Sequence, residues 1–270
     1  MGVSAAGRRG VAPAGAATPA RVVWHDLECG AYRADLPQWR ELAAESDGPI
    51  LDIGAGAGRV SLELARDGHA VTALDIDPIL LEALSERAAG LRVETACADA
   101  RSFALHRDDF GLCLVPMQTI QLLGGASGRS AFLRRARTHL RPGGLLAFAI
   151  LSRLEPFDCS HGEQGPVAER THLDGLTYSS RATRVSELAS VVLIERERRI
   201  VSDRPLPPGG GRGDTPGVER LRERDVVELD RVNAAALEGE AREVGLRPEE
   251  PREVPATNDH VGSVVVMLRA

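Results

Sequence analysis

Lysine is missing altogether: in a chain of 270 residues, all 33 basic side chains are arginine. That weighs against chemistry built on a lysine amine, such as a Schiff base, or on the lysine of a phosphate-binding loop. Together with the abundance of alanine and glycine, it reads as the mark of a GC-rich genome. Aromatic residues are also scarce, with five Phe, two Trp and two Tyr, too few for a large cage around a quaternary amine. The four cysteines (Cys29, Cys97, Cys113, Cys159) lie far apart with no CxxC pair, which leaves them as small hydrophobes of a reducing cytoplasm. Cys97 and Cys113 fall in apolar runs expected to be buried strands. No apolar run approaches the ~18 residues that a membrane helix needs, so no membrane partner is expected. The first twenty residues, rich in Ala, Gly and Pro, carry Arg8 and Arg9 but no hydrophobic segment, and are expected to form a floppy tail rather than a signal peptide. Positive charge has no concentration anywhere. The net charge is −6, and Arg134, Arg135 and Arg137 read as a solvated helix face, so no nucleic-acid partner is expected.

What is present is an alternation. Pro49 to Ile53 is a short apolar run that ends in a glycine-rich turn. Arg59 to Asp67 then shows helical spacing through Val60, Leu64 and Ala65, with Gly68 as a stop. Ala70 to Leu74 predicts a second strand, and Asp77-Pro78 opens a helix with aspartate as N-cap and proline at its first position. Gly90 ends that helix. Leu91 to Ala96 and Gly111 to Val115 predict two more strands, Ser130 to Leu140 a helix, and the turn Arg141-Pro142-Gly143-Gly144 leads into a fifth strand over Leu145 to Leu151. Strands alternating with helices imply βαβ crossovers and a doubly wound parallel sheet.

After Leu151 the pattern changes. Leu176 to Val185 and Val191 to Val201 predict an antiparallel hairpin, followed by a Pro/Gly loop at Pro207 to Gly213 and a further extended stretch at Arg222 to Leu229. A helix capped by Asn233 and closed by Gly245, then strands near Glu250 to Val254 and Ser263 to Leu268, finish the chain. The expected organisation is a tail over 1–20, an α/β core over 21–151, a small antiparallel β insertion over 152–229, and a closing helix and hairpin over 230–270.

The chemistry concentrates at Leu51-Asp52-Ile53-Gly54-Ala55-Gly56-Ala57-Gly58-Arg59, between the first strand and its helix. Glycines at every second position let the backbone pass under a ligand where a Cβ would collide. Such a turn lies at the carboxyl ends of the strands, where α/β sheets bind ligands. Asp75 ends the second strand 21 positions after Gly54, near the offset of an acid that accepts hydrogen bonds from both ribose hydroxyls. Asp99, just past the third strand, is placed to accept a bond from an adenine amine. The glycine spacing is G-x-G-x-G rather than the G-x-G-x-x-G of dinucleotide binding, and Asp52 would repel a pyrophosphate but attract an α-ammonium. These electrostatics favour S-adenosylmethionine, which carries an ammonium and a sulfonium and no phosphate.

At these residues the chain resembles class I S-adenosylmethionine-dependent methyltransferases of the small-molecule type, most of all the glycine N-methyltransferase-like group with a β insertion after the fifth strand. The resemblance covers roughly Tyr32 to Leu151 and, more loosely, the closing helix and hairpin. It implies a Rossmann-like seven-stranded sheet with the last strand antiparallel. It implies a cofactor site made of Asp52, Gly54, Gly56 and Gly58, of Asp75 with Ile76 beside it as the ribose acid, of Asp99 and Ala100 at the adenine, and of Val115 along the cofactor. It also implies an N-terminal segment folded over the site, with Tyr32 able to close on it. No Asn-Pro-Pro-aromatic motif is present; Val115-Pro116-Met117-Gln118 occupies that region.

Methyl transfer needs a general base only when the acceptor must lose a proton. His161 and His260 are the first candidates for that role, ahead of His172, Asp158 and Tyr178. Asp158, Asp174 and Asn258 form no recognised ligand pattern, so no metal is expected. The expectation is a cytoplasmic methyltransferase acting on an oxygen, nitrogen or carbon nucleophile of a small molecule. A non-catalytic scaffold or regulator on the same fold and a nucleotide-dependent oxidoreductase are the alternatives, and the oligomeric state stays open.

Overall fold

The computed structural model describes residues 18–151, 154–160, 165–202, 218–257 and 261–270. Helix α1 (Ala20–His25) runs into a π-helical turn (Asp26–Gly30), and helix α2 (Leu36–Ala44) follows. The alternating part then reads β1 (Ile50–Ile53), α3 (Ser61–Arg66), β2 (Val71–Asp75), α4 (Pro78–Arg87), β3 (Val93–Cys97), β4 (Phe110–Val115), a 3-10 turn (Thr119–Leu122), α5 (Gly125–His139) and β5 (Leu140–Leu151). Next come β6 (Phe157–Asp158), β7 (Glu169–Leu173), β8 (Leu176–Glu187), β9 (Val191–Ser202) and β10 (Val218–Asp230). The chain closes with α6 (Ala234–Glu243), β11 (Arg247–Val254) and β12 (Ser263–Arg269).

Seven strands form one sheet in the order β11-β12-β5-β4-β1-β2-β3. Strands β1 to β5 are parallel to one another, and β12 enters antiparallel between β5 and β11. Every residue of β1 and β4 is buried, because central parallel strands are covered by helices on both faces and must be apolar throughout. One face packs on α5 and α6 through Phe132, Leu133, Ala136, Leu237 and Ala241. The other packs on α2 and α3 through Trp39, Leu42 and Leu64. The second sheet is antiparallel, in the order β10-β9-β8-β6 with β7 also on β8.

Local chemistry explains the predicted ends. Asp77 caps α4, accepting from the Ile79 and Leu80 amides, and Asn233 caps α6 through the Ala236 amide. Three expectations need correction. Cys97 is exposed, because β3 is the last strand of its sheet and lacks a neighbour on one side. Helix α5 starts five residues before Ser130, although its first turn is rich in glycine. A Cβ at Gly128 would fall 1.7 Å from the Leu123 carbonyl oxygen, and the Gly125 amide donates to the Asp230 carboxylate at 2.7 Å, so tertiary contact overrides propensity. Within the arginine cluster, Arg134 and Arg137 are exposed, but Arg135 is part-buried, its Nε donating to the Phe103 carbonyl at 2.6 Å. Among the described residues, no helix is long and apolar enough to cross a membrane.

Candidate cofactor and acceptor site

Strand order reverses at β1, whose neighbours are β2 on one side and β4 on the other. Loops leaving the carboxyl ends of strands diverge at such a point and open a crevice. Here the crevice has a volume of about 520 Å³ and extends from the turn after β1 to the facing strands β9 and β10, within the usual range for small-molecule sites.

The turn after β1 holds Gly54, Gly56 and Gly58 at positive φ (71°, 53° and 97°). The space that a Cβ would fill is taken by protein: Thr119 stands 2.6 Å from that position at Gly54, and the His25 Nε2 2.1 Å from it at Gly56. Gly54 lines the crevice; Gly56 lies beneath His25, and Gly58 packs on Leu84 and Leu62 of the neighbouring helices. Asp75 is fastened to this turn. Its Oδ2 accepts from the Gly56 amide and its Oδ1 from the Asp77 amide, both at 2.8 Å. The turn and the acid that ends β2 therefore form one unit on one crevice.

Asp52 is the most unusual group in the site. It is 1% exposed and lines the crevice. Its Oδ2 accepts from the Ser61 hydroxyl at 2.6 Å, whereas its Oδ1 is buried with no hydrogen-bond partner. Burial pushes its pKa up to about 6; the Ser61 bonds and the Arg59 charge oppose the rise, and the Asp75 charge adds to it. A buried carboxylate oxygen without a partner is costly, and a cationic ligand group would relieve that cost. Arg59 lines the same wall but is neutralised by buried Asp35, with bonds of 2.5 and 2.7 Å.

The other residues expected at the cofactor are distributed unevenly. Ile76, Asp99 and Ala100 line the crevice, but both Asp99 oxygens are already held by the Arg101 guanidinium. Val115 is fully buried in the core, behind Pro116 and Met117, which reach the crevice in its place. Tyr32 lies outside the lining, its ring 5.3 Å from the Arg59 guanidinium. His161, His260 and Asn258, and the Pro/Gly loop at 207–213, lie outside the described residues. His172 bonds Thr177 on the β7–β8 hairpin, and Asp158 is paired with Arg184. Tyr178 packs against Trp24 at 5.2 Å. None of these three, nor Asp174 in the β7–β8 turn, lines the crevice.

Several lining residues had no signature in the sequence. His25, Glu28 and Cys29 come from α1 and the π turn, which cross the site as a strap. Arg21 bonds Asp77 at 2.5 Å, and Arg87 grips Asp26 at 2.9 and 2.6 Å. On the other side, Glu28 accepts from Arg198 at 2.7 and 2.6 Å and from Ser180 at 2.7 Å. Burial would raise the Glu28 pKa, but these bonds outweigh it and lower the value. Cys29 is pushed up to about 11 by burial and the Glu28 charge, so its thiol is protonated. The second sheet contributes Ile194, Arg196, Val227 and Leu229. Period-two alternation places each pair on one face of its strand, but only the tertiary arrangement shows that this face looks inward. Met117, at φ 54°, is a non-glycine residue held in a strained conformation at the crevice wall. Among the described residues, no group of three or more His, Cys, Asp or Glu is placed to hold a metal.

A parallel sheet with its last inserted strand antiparallel, a glycine turn at the switch point and an acid ending β2 define a class I methyltransferase fold. Residues 50–144 match the family model described as a methyltransferase domain. The ubiquinone biosynthesis O-methyltransferase of Parvibaculum lavamentivorans is 32% identical over 106 residues, which are 38% of this chain and 40% of that relative; the matched part thus spans about two fifths of the relative's length. Among solved structures, a sugar N-methyltransferase from Streptoalloteichus sp. ATCC 53650 superposes with a TM-score of 0.67 at 16% identity, covering 100% of both chains. An amino pentose methyltransferase from Micromonospora echinaspora, solved with S-adenosylmethionine bound, has a TM-score of 0.63 at 17% identity, with 92% of this chain and 97% of that one covered. The likeness to these folds covers nearly the whole chain, whereas a glycine N-methyltransferase-like subgroup has no support beyond the resemblance.

Proposed function

We propose that this protein is an S-adenosylmethionine-dependent methyltransferase whose acceptor is a small molecule held beneath the second sheet. The observation that carries this reading is the unpartnered buried oxygen of Asp52 beside a glycine turn to which Asp75 is bonded. The donor set fits the cofactor: Asp52 offers a counter-charge to an α-ammonium, the Gly54 and Ala55 backbone cradles the amino-acid part, and Asp75 keeps lone pairs for ribose hydroxyls. Ile76, Ala98 and Ala100 provide apolar flanks for a base, with Asp99 at its edge. A dinucleotide fits poorly, because its pyrophosphate would sit against Asp52.

When bound, S-adenosylmethionine supplies an activated methyl group on a positively charged sulfur. The chain's own contribution is to orient and to exclude water. The strap and the aliphatic wall of Ile194, Val227 and Leu229 enclose the acceptor side, and alignment of this kind contributes ~7–11 kcal/mol in favourable cases. The sugar and amino pentose methyltransferases of similar fold make a small polar metabolite a reasonable acceptor class. His161 and His260 stay as proposed proton acceptors, and His25, the imidazole of the described lining, joins them.

Titration calorimetry with S-adenosylmethionine, S-adenosylhomocysteine and NAD(H) tests the reading. The two sulfur compounds should bind and NAD(H) should not. Binding of NAD(H) alone would overturn it, and cofactor binding without labelled-methyl transfer to any member of an amine and hydroxyl acceptor panel would favour the scaffold alternative.

A further inference from the structure

The second sheet joins the core through two necks, one after Leu151 at the end of β5 and one after Asp230 at the end of β10. A single side chain holds both. Gln121, 5% exposed, donates its Nε2 hydrogen to the Asp230 carbonyl at 2.9 Å and accepts at Oε1 from the Leu151 amide at 3.0 Å. The returning neck is braced further, since the Asp230 carboxylate accepts from the Gly125 amide at 2.7 Å and from Arg129 at 2.6 Å. Arg129 in turn forks onto Glu240 of α6 at 2.9 and 2.6 Å.

The turn that carries Gln121 also touches the cofactor side. Thr119, two residues earlier, occupies the space beside Gly54 where a Cβ would lie, and Leu122 lines the crevice. Val227 and Leu229, which line the crevice from the second sheet, end one residue before the neck that Gln121 holds. A four-residue turn thus contacts the glycine loop at one end and both necks in its middle. Packed interiors transmit small displacements instead of absorbing them, so a shift of Gly54 moves the turn, and the turn moves the necks.

We propose that Gln121 is a positioning residue that sets the pose of the second sheet over the site and couples occupancy of the cofactor side to it. This rests on the cofactor reading above. Gln121→Glu keeps an acceptor for the Leu151 amide and loses the donor to Asp230, whereas Gln121→Leu loses both bonds at similar volume.

The test is hydrogen exchange by mass spectrometry on the full chain, with and without S-adenosylhomocysteine. In the unaltered protein the ligand should slow exchange in 50–60 and, by at least about fivefold, in 218–230, the low end of usual coupling strengths. In Gln121→Glu the ligand should still bind and still protect 50–60, while its effect on 218–230 disappears. A purely structural role would raise exchange in 218–230 equally with and without ligand and leave the ratio intact; that result overturns the proposal. Unprotected 218–230 in the unaltered protein overturns it as well. Failure of the unaltered protein to bind S-adenosylhomocysteine overturns the cofactor reading instead. Should Gln121→Glu not fold, Gln121→Leu and Gln121→Asn are read by the same ratio.

Discussion

Replacing Asp52 by asparagine should make the protein more stable and a poorer binder, with both effects tied to one titration. The carboxyl pKa rises from 3.8 to about 6 in the fold, and at ~1.36 kcal/mol per unit that is roughly 3 kcal/mol between its two protonation states. The folded value lies above the unfolded one. The proton therefore stabilises the fold fully below about pH 3.8, and that contribution disappears as pH rises through about 6. At about pH 7.5 the free protein carries the whole cost of an ionised, half-partnered carboxylate, and Asp52→Asn removes it while an amide oxygen can still accept from Ser61. In scanning calorimetry the variant should melt several degrees higher at about pH 7.5, and the gap should close as pH falls through about 6.

Ligand binding should run the other way. An ammonium prefers the ionised carboxylate, so below about pH 6 binding must expel a proton and the Kd for S-adenosylhomocysteine should rise up to about tenfold per pH unit. In Asp52→Asn the lost charge-assisted bond, ~1.5–3 kcal/mol, should weaken binding roughly 10- to 150-fold at about pH 7.5. The variant should show none of the wild-type slope. A flat Kd from about pH 5 to 7.5 in the unaltered protein, or equal affinity in the variant, would refute the pairing of Asp52 with an ammonium.

Three other changes probe the same framework. Asp75→Ala removes the proposed ribose partner and the acceptor of the Gly56 amide, and should weaken S-adenosylhomocysteine at least about tenfold, or ~1.4 kcal/mol; unchanged calorimetric affinity would contradict that role. Gly56→Ala puts a Cβ 2.1 Å from the His25 Nε2 at φ 53°. It should lower the Tm, and adding His25→Ala should relieve the clash but leave the ~1–2 kcal/mol left-handed penalty, so a double-mutant cycle showing no coupling would count against the contact. Trp24→Ala empties a site that is 5% exposed against Tyr178 and should cost about 3–5 kcal/mol in denaturant unfolding. A loss under about 1 kcal/mol would mean that the strap is not docked through this ring.

Much of the core was legible because its signals are local. The N-caps at Asp77 and Asn233 act within three residues, the apolar runs of β1 and β4 follow from burial on both faces, and the alternation of β8 to β10 follows from the pleat. An N-terminal segment over the site was implied by the resemblance, but the residues that build the strap were not legible. Helix α1 is six residues long, too short for periodicity to distinguish it, and Glu28 is set by Arg198, 170 residues away. The short strands β6 and β7 were missed for a related reason: they are defined by pairing with β8 rather than by their own composition.

The sequence by itself determined the order of strands and helices in the alternating core from β1 to β5, the glycine turn after β1, and the acid that ends β2, because backbone conformation and capping depend on near neighbours. Tertiary structure alone decided that Cys97 lies on an open sheet edge, that Val115 sits behind the wall it was expected to form, and that the inward faces of β9 and β10 close the crevice. It also decided that one oxygen of Asp52 lacks a partner. Burial, and with it the charge a carboxylate can carry, is a property of what the rest of the chain leaves around it.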